Sequence, residues 1–256
     1  MPAMGRLLCA LAIAAALPLS GCVALTSLSD TVSQTSARLE ASGHSDDSPA
    51  HFYFRYADDK ADLGTAAGHK TPQRSVPAHV PEDGHDLGFG ENVTGLSPGR
   101  LYWYDVCGGD SAMSPDLCSN KSHVFTLPTA SQDSIQGYFR DSEYGHFVEV
   151  DAASGPQGQN ADGWFHSEIR YFGTASMGQV TCLAVNGSRA AVGVVGTAYS
   201  GDYNKDPHPY SAVWTLDSLN QTFHEAVTQS APNCAAASFD QQAASFAWGI
   251  DLNDAN

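Results

Sequence analysis

Thr94-Gly95-Leu96-Ser97-Pro98-Gly99-Arg100-Leu101-Tyr102-Trp103-Tyr104-Asp105-Val106 carries the sharpest structural pattern in the chain. A Gly/Ser/Pro turn runs into an alternation that puts Tyr102, Tyr104 and Val106 on one face of a strand and Trp103, Asp105 and Cys107 on the other. The same period of two appears upstream. Ala37, Leu39 and Ala41 alternate with Arg38 and Glu40, and Phe52, Phe54 and Tyr56 alternate with Tyr53 and Arg55. The three apolar triplets are able to share one core. Between them lie turn-forming clusters such as Gly43-His44-Ser45-Asp46-Asp47-Ser48-Pro49. Short alternating strands broken by such clusters predict an antiparallel sandwich from about Val23 to Leu127.

The opening stretch resembles the L-x-P-G-x-x-Y-x-Y-x-V signature that enters the penultimate strand of fibronectin type III domains. The resemblance implies a tyrosine corner at Tyr102, whose hydroxyl would bond the backbone of the preceding turn. It also implies a second strand at Thr35–Leu39, a third at His51–Tyr56 and a closing strand at Ser122–Pro128. Two features depart from the family. Ala41 stands where many members carry Trp, and the stretch from Ala57 to Gly90 is long and rich in Gly, His and Asp, which predicts a loop excursion. Such modules serve as spacers, adhesion surfaces and receptor parts, so the fold names no activity. The chain lacks the Arg-Gly-Asp triplet of the integrin-binding members.

After a short linker, Pro128-Thr129-Ala130-Ser131, eight further strands are predicted: Ile135–Arg140, Phe147–Val150, Trp164–Phe172, Val180–Val185, Ala190–Thr197, Tyr210–Leu216, Phe223–Thr228 and Ala244–Ile250. Asn186-Gly187 between two apolar runs is a strong hairpin signal, because a type I′ turn needs two positive φ angles. Eight strands in this length predict a compact barrel or a second sandwich over 129–256. The expected fold class is all-β: a fibronectin type III-like β-sandwich over 22–128, followed by a second β-sandwich or barrel-like domain. The second half resembles an uncharacterised module found at the ends of exported bacterial proteins. The likeness rests on Ser154-Gly155-Pro156-Gln157-Gly158-Gln159-Asn160, Gly163, Gly178-Gln179-Val180-Thr181-Cys182-Leu183, Asn186-Gly187 and Ala190-Ala191-Val192-Gly193. It implies a fold and no chemistry.

Leu19-Ser20-Gly21-Cys22 ends an apolar run and resembles the lipobox of bacterial lipoproteins. The resemblance implies a signal peptide over 1–21, cleavage before Cys22 and lipid attachment at that residue. Two or three acyl chains would tether the chain stably to a bilayer. Val23 is not the Asp that resembles an inner-membrane retention signal. The expected location is therefore extracytoplasmic, on the cell or outer membrane. Of six cysteines, Cys9 falls in the leader and Cys22 carries lipid. Cys107, Cys118, Cys182 and Cys234 remain, an even number that reads as two disulfides in an oxidising compartment. Proximity favours Cys107–Cys118 and Cys182–Cys234 among the three pairings. With 12 basic against 28 acidic residues the formal charge is -16. That balance argues against a nucleic-acid partner, which is held by Lys and Arg.

No catalytic set, metal site or cofactor is expected. Asp202-Tyr203-Asn204-Lys205-Asp206 begins like a calcium loop, but Pro207 and Val213 stand where an EF-hand needs Gly and Glu. His44, His51, His69, His79 and His85 fall at irregular loop spacing, and no Gly-x-Ser-x-Gly occurs. Exposed aromatics supply the remaining lead. Trp103, opposite Tyr102 and Tyr104, would either cover the outer sheet or offer a stacking platform. With Tyr199, Tyr203 and Tyr210 around the acidic loop it makes up the candidate ligand rim, while Trp164, Trp214 and Trp248 read as core. The expected function is a non-catalytic binding or scaffold module for envelope protein or glycan. The alternative is a polysaccharide-active hydrolase or its accessory domain, which would converge two carboxylates in a cleft of the second domain.

Overall fold

A computed structural model describes residues 23–45, 49–76, 87–110, 116–140, 145–200, 206–236, 244–245 and 247–255. The N-terminal half holds nine strands: β1 (Val23–Val32), β2 (Ser36–Ser45), β3 (Ala50–Ala57), β4 (His69–Lys70), β5 (Arg74–Val76), β6 (Leu87–Thr94), β7 (Leu101–Asp110), β8 (Leu117–Cys118) and β9 (Ser122–Phe125). They form two antiparallel sheets. One has the order β1-β2-β6; the other runs β4-β3-β7-β8, with β5 on β3 and β9 on β7. The three apolar triplets meet between these sheets. Ala37, Leu39, Ala41, Phe52, Phe54, Tyr104 and Val106 are buried there, with Tyr56 and Tyr102 packed against them. Tyr102 turns its hydroxyl back on the preceding turn, accepting from Ser97 N–H at 2.9 Å. On the opposite face of β7, the buried Asp105 carboxylate takes a two-pronged ion pair from Arg55, at 2.9 and 2.6 Å.

The C-terminal half is a single antiparallel meander of β10 (Asp133–Arg140), β11 (His146–Ser154), β12 (Asp162–Ile169), β13 (Thr174–Asn186), β14 (Arg189–Ser200), β15 (Asp206–Asp217), β16 (Thr222–Val227), β17 (Ala244–Ser245) and β18 (Ala247–Asn253). The strand expected over Trp164–Phe172 stops at Ile169. Gly173, at φ 60°, caps a 3-10 turn over Arg170–Phe172 instead. β18 continues past Ile250 to Asn253.

The order is β17-β16-β15-β14-β13-β12-β11-β10-β18, so the two outer strands are neighbours in the chain. In a flat sheet, eight inter-strand steps of about 4.8 Å would hold them about 38 Å apart. Ser245 and Ala247 flank one residue, which spans at most about 7 Å. The sheet therefore curls round until its last strand touches both β16 and β10, giving a barrel of eight staves. Bare glycines permit the curl. Gly178 pairs with Gly196 across β13 and β14. A Cβ on either would sit 2.2 or 2.0 Å from the facing carbonyl oxygen, of Val195 or Met177 respectively. Ile135, Phe139, Val148, Val150, Phe165, Leu183, Val192, Val194, Trp214 and Phe223 fill the interior.

The base of the barrel docks on the sandwich. Leu101 N–H and Arg100 Nε both reach Asp162 Oδ2, at 3.0 and 3.2 Å. Ala57, Leu63, Leu101, Trp103 and Phe125 bury one apolar cluster with Ala153, and Trp164 packs against it. His123 lies between Trp103 and Trp164, its ring centroid 5.5 and 4.2 Å from theirs. The Lys60 ammonium caps the far side of Trp103 at 4.4 Å. Val23 pairs with Ser45 at one end of β1, while Val32 pairs with Ala37 at the other. Ser33, beyond Val32, accepts from Leu127 N–H at the linker. The first described residue thus lies at the end of the sandwich away from the barrel.

Both expected disulfides form, Cys107–Cys118 and Cys182–Cys234. They place folding in an oxidising, extracytoplasmic setting. No helix among the described residues is long and apolar enough to cross a membrane. The bonds close loops of 11 and 52 residues' separation. Chain entropy assigns them about 3 and about 4 kcal/mol. Denaturant titration of C107S/C118S and C182S/C234S should reproduce that order. Equal losses would mean that local packing outweighs loop length.

Burial, aided by the Lys60 charge, holds the His123 imidazole down at about 4. Above pH 6.5 folded and unfolded chains both keep it neutral; between 6.5 and 4 only the unfolded chain takes the proton. Stability is therefore lost as pH falls through that window, by up to about 3 kcal/mol. His123→Phe should flatten the pH 7.5-to-4.5 stability slope by that amount. An unchanged slope would show that His123 accepts its proton at the junction without penalty.

Candidate functional site

Along the barrel interior the same alternation carries two chemistries. Near the base, inward positions are apolar: Val192 and Val194 on β14, Ala212 and Trp214 on β15, Phe165 on β12 and Phe223 on β16. Two residues further toward the open end the same faces turn polar, with Ser167 after Phe165, Glu225 after Phe223 and Tyr210 before Ala212. The result is a mouth of about 200 Å³ lined by Ser167, Ile169, Thr174, Ala175, Ser176, Ala198, Tyr199, Ser200, His208, Tyr210 and Glu225. It lies at the opposite end of the strands from the junction residues Asp133, Ala153 and Asp162.

A hydrogen-bond chain fixes the mouth. Trp214, fully buried beneath it, donates Nε1–H to Tyr210 Oη at 3.1 Å. Tyr210 donates its own proton to Glu225 Oε1, and Ser176 also bonds the phenol. Burial first, then the Glu225 charge, drives the Tyr210 phenol well above its ordinary range. It therefore stays protonated and acts as a donor to a carboxylate. Beside it, His146 Nε2 and Ser167 Oγ are 3.0 Å apart. On the rim His208 Nδ1 faces the Asp206 carbonyl at 3.1 Å, so Nδ1 is the donor of that contact. Tyr171 and Phe172, 77% and 59% exposed, stand on the turn between β12 and β13 at the same end.

The structure brings together two of the four rim residues, Tyr199 and Tyr210, which line this mouth. Tyr203 and Cys22 lie outside the described residues, as do most of the Asp202–Asp206 loop and His79 and His85. Trp103 requires correction. It is not an open platform: only 8% of it is exposed, because the outer face of β7 is where the barrel docks. Trp214 is core as expected, whereas Trp164 sits on the outer barrel face against His123. The side chain of Trp248 falls outside the described residues. Of the histidines, His51 pairs with Asp116 at 3.0 Å and His69 stacks on Tyr56. A grouping of Asp105, Cys107 and Cys118 has metal-like spacing, but its two sulfurs are bonded to each other. Ser167, Ser176, His208 and Glu225 were not anticipated from sequence. Glu225 carried a usable signal, since it shares strand parity with Phe223.

A second cavity of about 340 Å³ lies between the linker and the outer faces of β10 and β18, lined by Leu127–Ala130, Ser134, Gln136 and Asp251–Asn253. It gathers no aromatic rings and one carboxylate, so the mouth is the stronger site. The comparisons add no name to either: no family model and no curated protein matches the chain.

Glu149 and Asp151 form a carboxylate pair on the outer face of β11, outside both cavities. Burial, then the Glu149 charge, raises Asp151 to about 6 against the opposing Gly137 N–H bond. A raised carboxyl favours the fold at pH below 3.8, and that contribution is lost as pH rises through 6. At pH 7.5 the ionised group costs up to about 3 kcal/mol. Asp151→Asn should raise Tm at pH 7.5 and leave it nearly unchanged at pH 3.5. Destabilisation at pH 7.5 would mean that the carboxylate is bound rather than merely buried.

Proposed function

We propose that this chain is a cell-surface lipoprotein, tethered through lipid at Cys22, whose barrel mouth is the binding site of a non-catalytic module for an envelope glycan or protein group. The sandwich over 22–128 acts as a fibronectin type III-like spacer, and 129–256 as the binding domain. Support for the spacer comes from the β1-β2-β6 and β4-β3-β7 sheets and the Tyr102–Ser97 bond, which match what the resemblance implies. Support for the tether comes from the lipobox-like Leu19–Cys22 and from Val23 at the end of the sandwich away from the barrel. A tether there holds the mouth outward from the bilayer.

The observation that carries the reading is the mouth itself. Barrel mouths are preferred ligand sites, and this one joins aromatic rings to a few convergent polar groups on a rigid floor. Among the described residues one carboxylate lines it, where glycoside hydrolysis needs two. That composition favours holding a ligand over cleaving it. A glycan fits the hydroxyl-rich wall better than an apolar peptide would.

The test is binding of the mature full chain to envelope polysaccharide fragments, with Tyr199→Ala and Tyr210→Phe as variants. Retention should weaken about tenfold or more in Y199A, with no release of reducing ends. Equal retention by Y199A would move the site elsewhere, and steady release of reducing ends would establish the hydrolase reading instead.

A further inference from the structure

We infer that the group this mouth takes is a primary ammonium carried on a hydroxylated ring, that is, an amino sugar whose nitrogen is not acylated. The inference rests on the barrel-mouth reading above and names its ligand class. Its ground is the charge and hydrogen-bond inventory of the wall. Of the described lining side chains one carries a formal charge, the Glu225 carboxylate, and none among the described residues is Lys or Arg. A phosphate or an acidic sugar would meet that negative charge with no cation to offset it. A neutral sugar would leave a half-buried carboxylate facing groups that do not need it.

Glu225 is also held ready for a cation. Its Oε1 accepts from Tyr210, and Tyr210 is fixed in turn by Trp214 Nε1–H and Ser176. The other carboxylate oxygen has no hydrogen-bond partner among the described residues. A primary ammonium brings three donors and fits that vacancy with a charge-assisted bond. Tyr210 stands on the inward face of β15 and Tyr199 borders the mouth, and aromatic rings there attract a cation and stack on a pyranose. Thr174 and Ser200 set hydroxyls at the rim for those of the sugar. The space of about 200 Å³ is below the roughly 300 Å³ at which drug-sized pockets begin, so it suits a single ring. Beyond the wall, an excess of 28 acidic over 12 basic residues gives a field that gathers cations and repels anions. A bare metal ion is a poorer match, because one carboxylate does not supply the converging ligands it requires.

The deciding experiment is calorimetric titration of the mature full chain in detergent micelles with glucosamine, N-acetylglucosamine, glucose and lysine, at low and at high salt. Glucosamine should bind about tenfold or more tighter than its acetylated and hydroxyl counterparts, and the advantage should shrink in high salt. Glu225→Gln, matched in size, should erase the preference while the thermal transition stays in place. If that variant is unfolded, the salt dependence of the wild-type preference decides alone. Equal binding of all three sugars, weakened by Tyr199→Ala, would overturn the ammonium inference and leave the glycan-binding mouth standing. Lysine binding without any sugar would overturn the amino sugar as ligand. Failure of all four compounds would sink this inference, and the mouth reading would then rest on the polysaccharide fragments alone.

Discussion

Everything in the C-terminal half follows from one constraint: the last strand must reach both β16 and β10. Because 244–245 pair with β16 and 247–253 pair with β10, the sheet has to close on itself. Closure gives the barrel an inside, and eight staves leave room for little more than side chains. Phe139, Phe165, Trp214 and Phe223 occupy that room, with Phe139 and Phe223 centroids 4.3 Å apart and Phe165 edge-on to Trp214 at 5.1 Å. What space remains must lie at an end. The base is taken by the sandwich, so the free end is the one where inward residues turn from Val and Phe to Ser, Tyr and Glu.

The junction makes the chain a single structural piece, and His123 within it and Asp151 on the outer face of β11 set two opposite pH sensitivities. His123 packs at a tilt against two tryptophans, and protonating it means adding charge beside Lys60 in an apolar seam. Asp151 is crowded by Glu149 and by burial, so ionising it opposes folding. Acid loosens the first and relieves the second. Their windows, 4 to 6.5 and 3.8 to 6, overlap, so the slopes partly cancel between about pH 4 and 6. The balance leaves the fold less pH-dependent than either group alone would make it.

Much of the fold was legible because alternation is a local property. Phe52/Phe54/Tyr56 and Tyr102/Tyr104/Val106 show their inward faces within a few residues, and Asn186-Gly187 announces its hairpin. The hairpin forms, but Asn186 pairs with Arg189 and the loop is Gly187-Ser188, so of the two positive φ angles expected for a type I′ turn only that of Gly187, 58°, occurs. The barrel was harder to separate from a second sandwich, because closure is a pairing between residues some 110 positions apart. Trp103 was misjudged for a related reason. Parity correctly sent it to the face opposite Tyr104, but parity does not tell which outer face another sheet will cover. The mouth was half visible: Tyr199 and Tyr210 stood out as aromatics near an acidic loop. Ser167 and Glu225 share the parity of inward Phe165 and Phe223 but read as ordinary polar residues, because alternation does not show where an inward face reaches an open end.

A ligand entering the barrel mouth as proposed would be felt by Tyr210 and, through it, by Trp214. The most direct measurement is the nuclear magnetic resonance spectrum of the tryptophan indole N–H groups during titration with an envelope glycan fragment. Trp214 Nε1–H hydrogen-bonds Tyr210 under the mouth, while Trp103 lies in the junction. The account predicts a saturable shift of the Trp214 signal with the Trp103 signal unmoved. A shift at Trp103 while Trp214 stays fixed would place the binding site at the junction and contradict it.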